Sequence, residues 1–165
     1  MANEYGNYSI INPLHKLNSI HTISGGNLTV VSGSASSGYG YTSSIGLPSS
    51  GVWEAEVTLT VQGGTGAFGI ITPNFDQSAV GDVWGTTTGN VVSLTNGGTM
   101  GVDGSNVQTG LTSWSAGDKV ICQADVDNGT IKFFLNTGSG YSQLGSTVTG
   151  RSSATMTGQV FWSAS

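Results

Sequence analysis

Between Asp118 and Asn136 the sequence alternates apolar and polar residues, reverses at Asn128-Gly129, and alternates again. Val120, Cys122, Ala124 and Val126 fall on one side of the first run, with Ile121, Gln123 and Asp125 on the other. In the second run Ile131, Phe133 and Leu135 alternate against Lys132 and Phe134. A period of two is the spacing of side chains on a pleated strand, whereas a helix repeats every 3.6 residues. Asn-Gly tolerates the positive φ angles of a two-residue type I′ turn, so the segment reads as an antiparallel hairpin.

A lone hairpin cannot hide its apolar side and needs more strands. The chain supplies them. In Val52–Gln62, Trp53, Ala55, Val57, Leu59 and Val61 share one face, while Glu54, Glu56, Thr58, Thr60 and Gln62 share the other. Further strand signals are Leu28–Ser32, Gly66–Thr72, Asn90–Thr95, Thr99–Asp103 and Gly158–Ser163, with Asn96-Gly97-Gly98 a second hairpin turn. Charged residues are only 8% of the chain, about a third of the usual share, and glycine is 27 of 165 residues. Exposed helix faces want Glu, Lys and Arg, so a helical bundle is excluded, and disorder is excluded by 36% apolar content with so few charges. The fold expected is all-β: an antiparallel two-sheet jelly-roll sandwich.

Several motifs then resemble a known family. Gly51-Val52-Trp53-Glu54-Ala55-Glu56-Val57 resembles the Gly-x-Trp-Glu-x-Glu-Val strand of SPRY domains, and Gly66-Ala67-Phe68-Gly69-Ile70 is similar to the small-residue strand that follows it. Gly117-Asp118-x-Val120-Ile121, Asp125-x-Asp127-x-Gly129-Thr130-Ile131-x-Phe133 and Asn136 resemble that family's hairpin. Asn12-Pro13-Leu14 and Ser24-Gly25-Gly26-Asn27-Leu28-Thr29 look like the opening segment of SPRY-type domains from phage and environmental sequences. The resemblance covers roughly residues 12–163 and implies a concanavalin-like sandwich; the domain is expected over 12–165, with residues 1–11 left as an N-terminal arm. It also implies a binding or structural role without catalysis, using loops at one end of the sandwich.

The residues themselves point the same way. Lys16, Lys119, Lys132 and Arg151 are scattered singly in a chain of net charge −5, which offers neither nucleic acid nor an anionic membrane surface a basic stripe. No apolar run is long enough to span a bilayer, and Met-Ala-Asn-Glu-Tyr lacks the pattern of a secretory signal. Cys122 is the single cysteine, so no internal disulfide forms, which suits synthesis in a reducing cytosol. Gly64-Thr65-Gly66-Ala67-Phe68-Gly69 matches a dinucleotide pattern, but Ile70-Ile71-Thr72-Pro73 follows where a helix would have to begin. Asp125-Val126-Asp127 starts like a calcium loop, yet position twelve is Asn136 where a bidentate Glu belongs. Glu54 and Glu56 are a carboxylate pair on one strand face, the residue type that cleaves glycosides, but Leu59 breaks the longer acidic pattern of such enzymes. No cofactor, metal or catalytic residue is expected.

The aromatics divide into two groups. Trp53, Phe68, Phe133 and Phe161 occupy strand positions that should face the core. Tyr39, Tyr41, Phe75, Trp84 and Tyr141 lie among Gly and Ser, where exposed rings serve recognition, and Tyr39, Tyr41, Asp76 and Trp84 are the candidate binding surface. Tyr5, Tyr8, Ile10 and Ile11 form a candidate docking arm. The leading expectation is a non-enzymatic virion structural protein of bacteriophage type, a capsid decoration or head/tail fibre, made in the host cytoplasm. Its partners would be capsid or tail proteins, with room for a homo-oligomer through edge strands. A lectin-like module gripping host-surface glycan comes second, and a glycoside hydrolase of concanavalin-like fold comes third.

Overall fold

Alternation decides which strands form and which side each one buries. The computed structural model describes residues 9–13, 22–31, 39–60, 64–71, 91–151 and 159–164; side chains of 39, 40 and 159–164 are outside that description. Among the described residues the strands are β1 (Thr22–Ser24), β2 (Thr29–Val31), β3 (Tyr39–Gly46), β4 (Val52–Thr58), β5 (Gly66–Ile71) and β6 (Val91–Thr95). They continue with β7 (Met100–Val102), β8 (Ser105–Gln108), β9 (Lys119–Asp125), β10 (Thr130–Asn136), β11 (Ser142–Val148) and β12 (Gln159–Ala164). One sheet has the order β11-β10-β9-β4, a second β3-β12-β5-β6-β7-β8, and β1-β2 stand as a separate hairpin. Neighbouring strands pair antiparallel throughout. The architecture is an all-β, concanavalin-like sandwich.

The core lies between the two sheets. Phe68, Ile70, Val92, Leu94 and Met100 come from one side; Val120, Cys122, Ala124, Ile131, Phe133, Leu135 and Leu144 come from the other. Trp114 is wholly buried between them, and its Nε1–H donates to the Thr95 carbonyl at 2.9 Å, which removes the one polar cost of burying an indole. Asn96 is the polar counterpart. Its side chain, 4% exposed, accepts from Gly66 N at 3.0 Å and donates to the Gly64 carbonyl at 2.9 Å, imitating a peptide group where β5 begins.

Several details differ from the sequence expectation. The turn between β9 and β10 is not a two-residue type I′ turn: Asp125 pairs with Thr130 across a four-residue loop, and Gly129 alone takes positive φ (+62°). Asp125 explains the longer loop, because its carboxylate accepts from Asn128 N at 3.0 Å and Asn128 Nδ2 at 2.8 Å. The two-residue positive-φ turn occurs instead at Asp103-Gly104 (φ +48° and +82°), joining β7 to a strand, β8, that sequence reading leaves out. Trp53 was expected in the core but is 41% exposed, because it lies near the start of the outermost strand of its sheet. Phe68 and Phe133 are fully buried as expected, while the side chain of Phe161 is outside the described part.

The N-terminal segment is tied to the second sheet. Ser44 N donates to the Ile10 carbonyl at 2.7 Å, and Asn12 N donates to the Thr42 carbonyl at 2.8 Å, so Ile11 bridges Ser43 on the β3 edge. Ile11 N also reaches the Asn27 carbonyl at 2.8 Å, which fastens the β1–β2 hairpin to the same place.

Candidate functional site

The outward side of the four-stranded sheet collects side chains that are distant in sequence. Register puts Glu54 across from Gln123, Glu56 across from Ile121, and Thr58 across from Lys119. On the next strand Lys132 faces Gln123, Phe134 faces Ile121, and Asn136 faces Lys119. The centre of the surface is thus an apolar pair, Ile121 and Phe134, both half-buried. Polar groups flank it on both sides.

On one flank Gln123 Nε2 donates to Glu54 Oε1 at 2.7 Å. On the other, Lys119 Nζ donates to Glu56 Oε1 at 3.1 Å, and the Tyr141 hydroxyl donates to Glu56 Oε2. Tyr141 reaches this position through the loop after β10, where Asn136 Oδ1 accepts from Gly138 N at 2.8 Å and Gly140 N at 3.1 Å. The tyrosine hydroxyl, followed by Lys119, holds the Glu56 carboxyl below the usual carboxylate range. The same contact raises Tyr141 above the ordinary phenol value, and Glu56 raises Lys119. A general acid for glycoside cleavage needs the opposite shift; Glu56 is instead held as an anion by its two partners. Asp125, whose carboxyl is lowered chiefly by the Asn128 side chain, is committed to its own turn.

The residues expected to bind do not gather here. The sequence sets Tyr39 and Tyr41 among loop residues, but both lie on β3, at one edge of the other sheet. Tyr41 is 3% exposed, in line with Trp162, Phe68 and Leu94 by register, and burial pushes its hydroxyl pKa up to about 12. It packs inside, which corrects its assignment to an exposed surface. Asp76, Trp84 and Phe75 lie outside the described residues, as do Tyr5 and Tyr8 of the arm. Ile10 and Ile11 are half-buried on the domain itself. Glu54, Glu56 and Tyr141 were each visible in the sequence, but their assembly with Lys119, Gln123 and Phe134 depends on the β4–β9 register. The signal for that register was the matched alternation of the two strands.

No protein-family model and no curated protein sequence matches the chain. Solved structures do match. The SPRY domain of human HERC1 superposes with TM-score 0.66 at 17% identity, covering 93% of this chain and 88% of that one. The TRIM65 PSpry domain gives TM-score 0.66 at 12% identity, covering 94% and 85%. Stonustoxin gives TM-score 0.69 at 14% identity over 93% of this chain, which spans only 25% of the toxin chain. The protein is therefore a β-sandwich with the fold of SPRY domains. At such identities the likeness defines the fold alone.

Proposed function

We propose that the protein is a non-enzymatic binding module, and that it serves as a structural protein of a virus particle, as a capsid decoration or head/tail fibre component. The observation that carries the binding reading is the outward face of the four-stranded sheet. It sets an apolar Ile121–Phe134 pair between hydrogen-bonded polar clusters on a rigid sheet, the usual make-up of a protein-recognition patch. The SPRY-like fold supports the same reading. The virion role draws on composition: a chain with 8% charged residues and 27 glycines presents a coat poor in charge, suited to packing among other protein copies.

Capsid or tail proteins are the proposed partners, and the virion the proposed location. Co-sedimentation of the purified protein with capsids or tails, weakened by Phe134→Ala and Tyr141→Ala, is the expected result. Failure to bind any particle component, with binding instead to a host-surface glycan on an array, would replace this reading with the lectin one. The arm has its own test. Deleting residues 2–9, which leaves the Ile10 and Asn12 contacts with β3 in place, should reduce particle incorporation while the domain keeps its fold.

A further inference from the structure

Strand β4 ends its sheet: among the described residues it pairs with β9 alone. Which of its backbone groups point outward follows from three contacts. Val126 N donates to the Gly51 carbonyl at 3.0 Å, Leu59 N to Asp118 at 3.1 Å, and Gly117 N to Leu59 at 2.8 Å. Odd-numbered residues therefore turn their N–H and C=O toward β9. On an antiparallel strand the alternate residues point the other way, so Val52, Glu54, Glu56 and Thr58 aim theirs at solvent. All four are exposed residues, and among the described residues no strand pairs with this row. The same residues carry the side chains of the outward face, with carboxylates at the two central positions.

That charge pattern selects the occupant. A two-fold pair of copies would set β4 against β4 with both apolar sides facing one way, matching even positions with even, and the other edges, β3, β8 and β11, carry no cation to offer the glutamates. Every such register spanning the strand's centre sets Glu54 or Glu56 opposite another glutamate or within one pair of it, and like charges directly across a ladder are destabilising. A strand with lysine or arginine at alternate positions meets the reverse situation. Its cations fall beside Glu54 and Glu56, and its intervening residues pass to the core side near Trp53. That ring is 41% exposed and fixed by its Nε1–H donating to the Ser50 carbonyl at 2.7 Å. We infer that the β4 edge docks an extended, basic-alternating segment of a protein partner, which adds a fifth strand to the four-stranded sheet. The inference rests on the binding-module reading and names the edge and partner chemistry that reading leaves open.

The test uses the whole chain and a short extended peptide alternating lysine with valine. Titration should slow hydrogen exchange at the amides of Glu54, Glu56 and Thr58, change tryptophan fluorescence, and weaken as salt rises. Glu54→Lys/Glu56→Lys should reduce affinity for that peptide about tenfold or more and create affinity for the peptide alternating glutamate with valine. Glu54→Pro removes an outward N–H and no bond to β9, so it should keep the fold while abolishing binding. An unchanged amide-exchange pattern on peptide addition, or full binding by the proline variant, would overturn the inference. Binding of particle proteins that survives Glu54→Pro would overturn it while leaving the binding-module reading intact; loss of particle binding by every variant and by the native chain would remove that reading instead. A salt-independent dimer formed through β4 would also overturn it.

Discussion

Gly129 carries a constraint that its neighbour Asn128 escapes. Its φ is +62°, and a Cβ built on it would stand 2.0 Å from the Arg151 carbonyl oxygen. Arg151 N also donates to the Gly129 carbonyl at 3.0 Å, so the two backbones cannot separate without losing that bond. Gly129→Ala should therefore cost about 2–3 kcal/mol by urea denaturation, whereas Asn128→Ala, which keeps the backbone bond to Asp125 and loses only the Nδ2 one, should cost about 1 kcal/mol. Glu56 gives a prediction in pH. Its folded pKa is depressed, so its contribution is present above the unfolded carboxylate value and fades as pH falls through the folded value. Tyr141→Phe removes the largest cause, and carboxyl NMR should show the Glu56 titration moving up toward the ordinary range. At this scale the sequence misled at Tyr41. Tyr39, Tyr41, Ser43 and Ile45 do follow a period of two, but the intervening Gly40, Thr42 and Ser44 resemble a loop, because strand preference is set more by packing than by residue type.

Strands with one apolar side were legible; those without one were not. β9 and β10 bury every second residue, and β5 is buried along its whole length, so their composition announces them. β8, with sequence Ser-Asn-Val-Gln, and β11, with Ser-Gln-Leu-Gly-Ser-Thr-Val, are polar edge strands whose order comes from neighbours. Register on β11 shifts between the partners of Ile131 and Phe133, where Gly145 takes φ +75° and Gln108 Oε1 accepts from Ser146 N at 2.9 Å. A glutamine of one sheet thus steadies an irregularity in the other, a relation no local pattern encodes. Arg151 makes a second link of this kind. Its guanidinium, on a side chain 10% exposed, grips Asp103 through Nη1 at 2.7 Å and Nη2 at 3.1 Å, joining the segment after β11 to the β7–β8 turn. Arg151→Met should destabilise the fold by about 1–3 kcal/mol in urea, and adding Asp103→Asn should recover part of the loss, because Asp103 then keeps the Val91 N–H without a charge that has lost its guanidinium.

For the molecule as a whole, the two-sheet sandwich could be read from alternation and turns, while the binding face could be read only in pieces. Glu54 and Gln123 stand 69 positions apart in the chain, and only the closed sheet brings them together. Closure also governs the thiol. Cys122 is buried in the core, and burial pushes its pKa up, so the reactive thiolate is suppressed in the native state. A thiol reagent should label it only as fast as the sandwich opens, and the labelling rate in mild denaturant should track global unfolding.

The clamped side chain of Asn96 has a consequence for how the protein ages. The chain has two Asn-Gly steps, Asn96-Gly97 and Asn128-Gly129, the dipeptide in which the following amide nitrogen most readily attacks the asparagine side chain and expels ammonia. Asn128 is exposed at a loop, but the Asn96 amide is held at both ends by the Gly66 N–H and the Gly64 carbonyl. Stored native protein should therefore deamidate first at Asn128, as mass spectrometry of its proteolytic fragments would register, with Asn96 converting chiefly in unfolded chains. A chain altered there would place a carboxylate against the Gly64 carbonyl and refold poorly, so each round of unfolding would retire some molecules permanently.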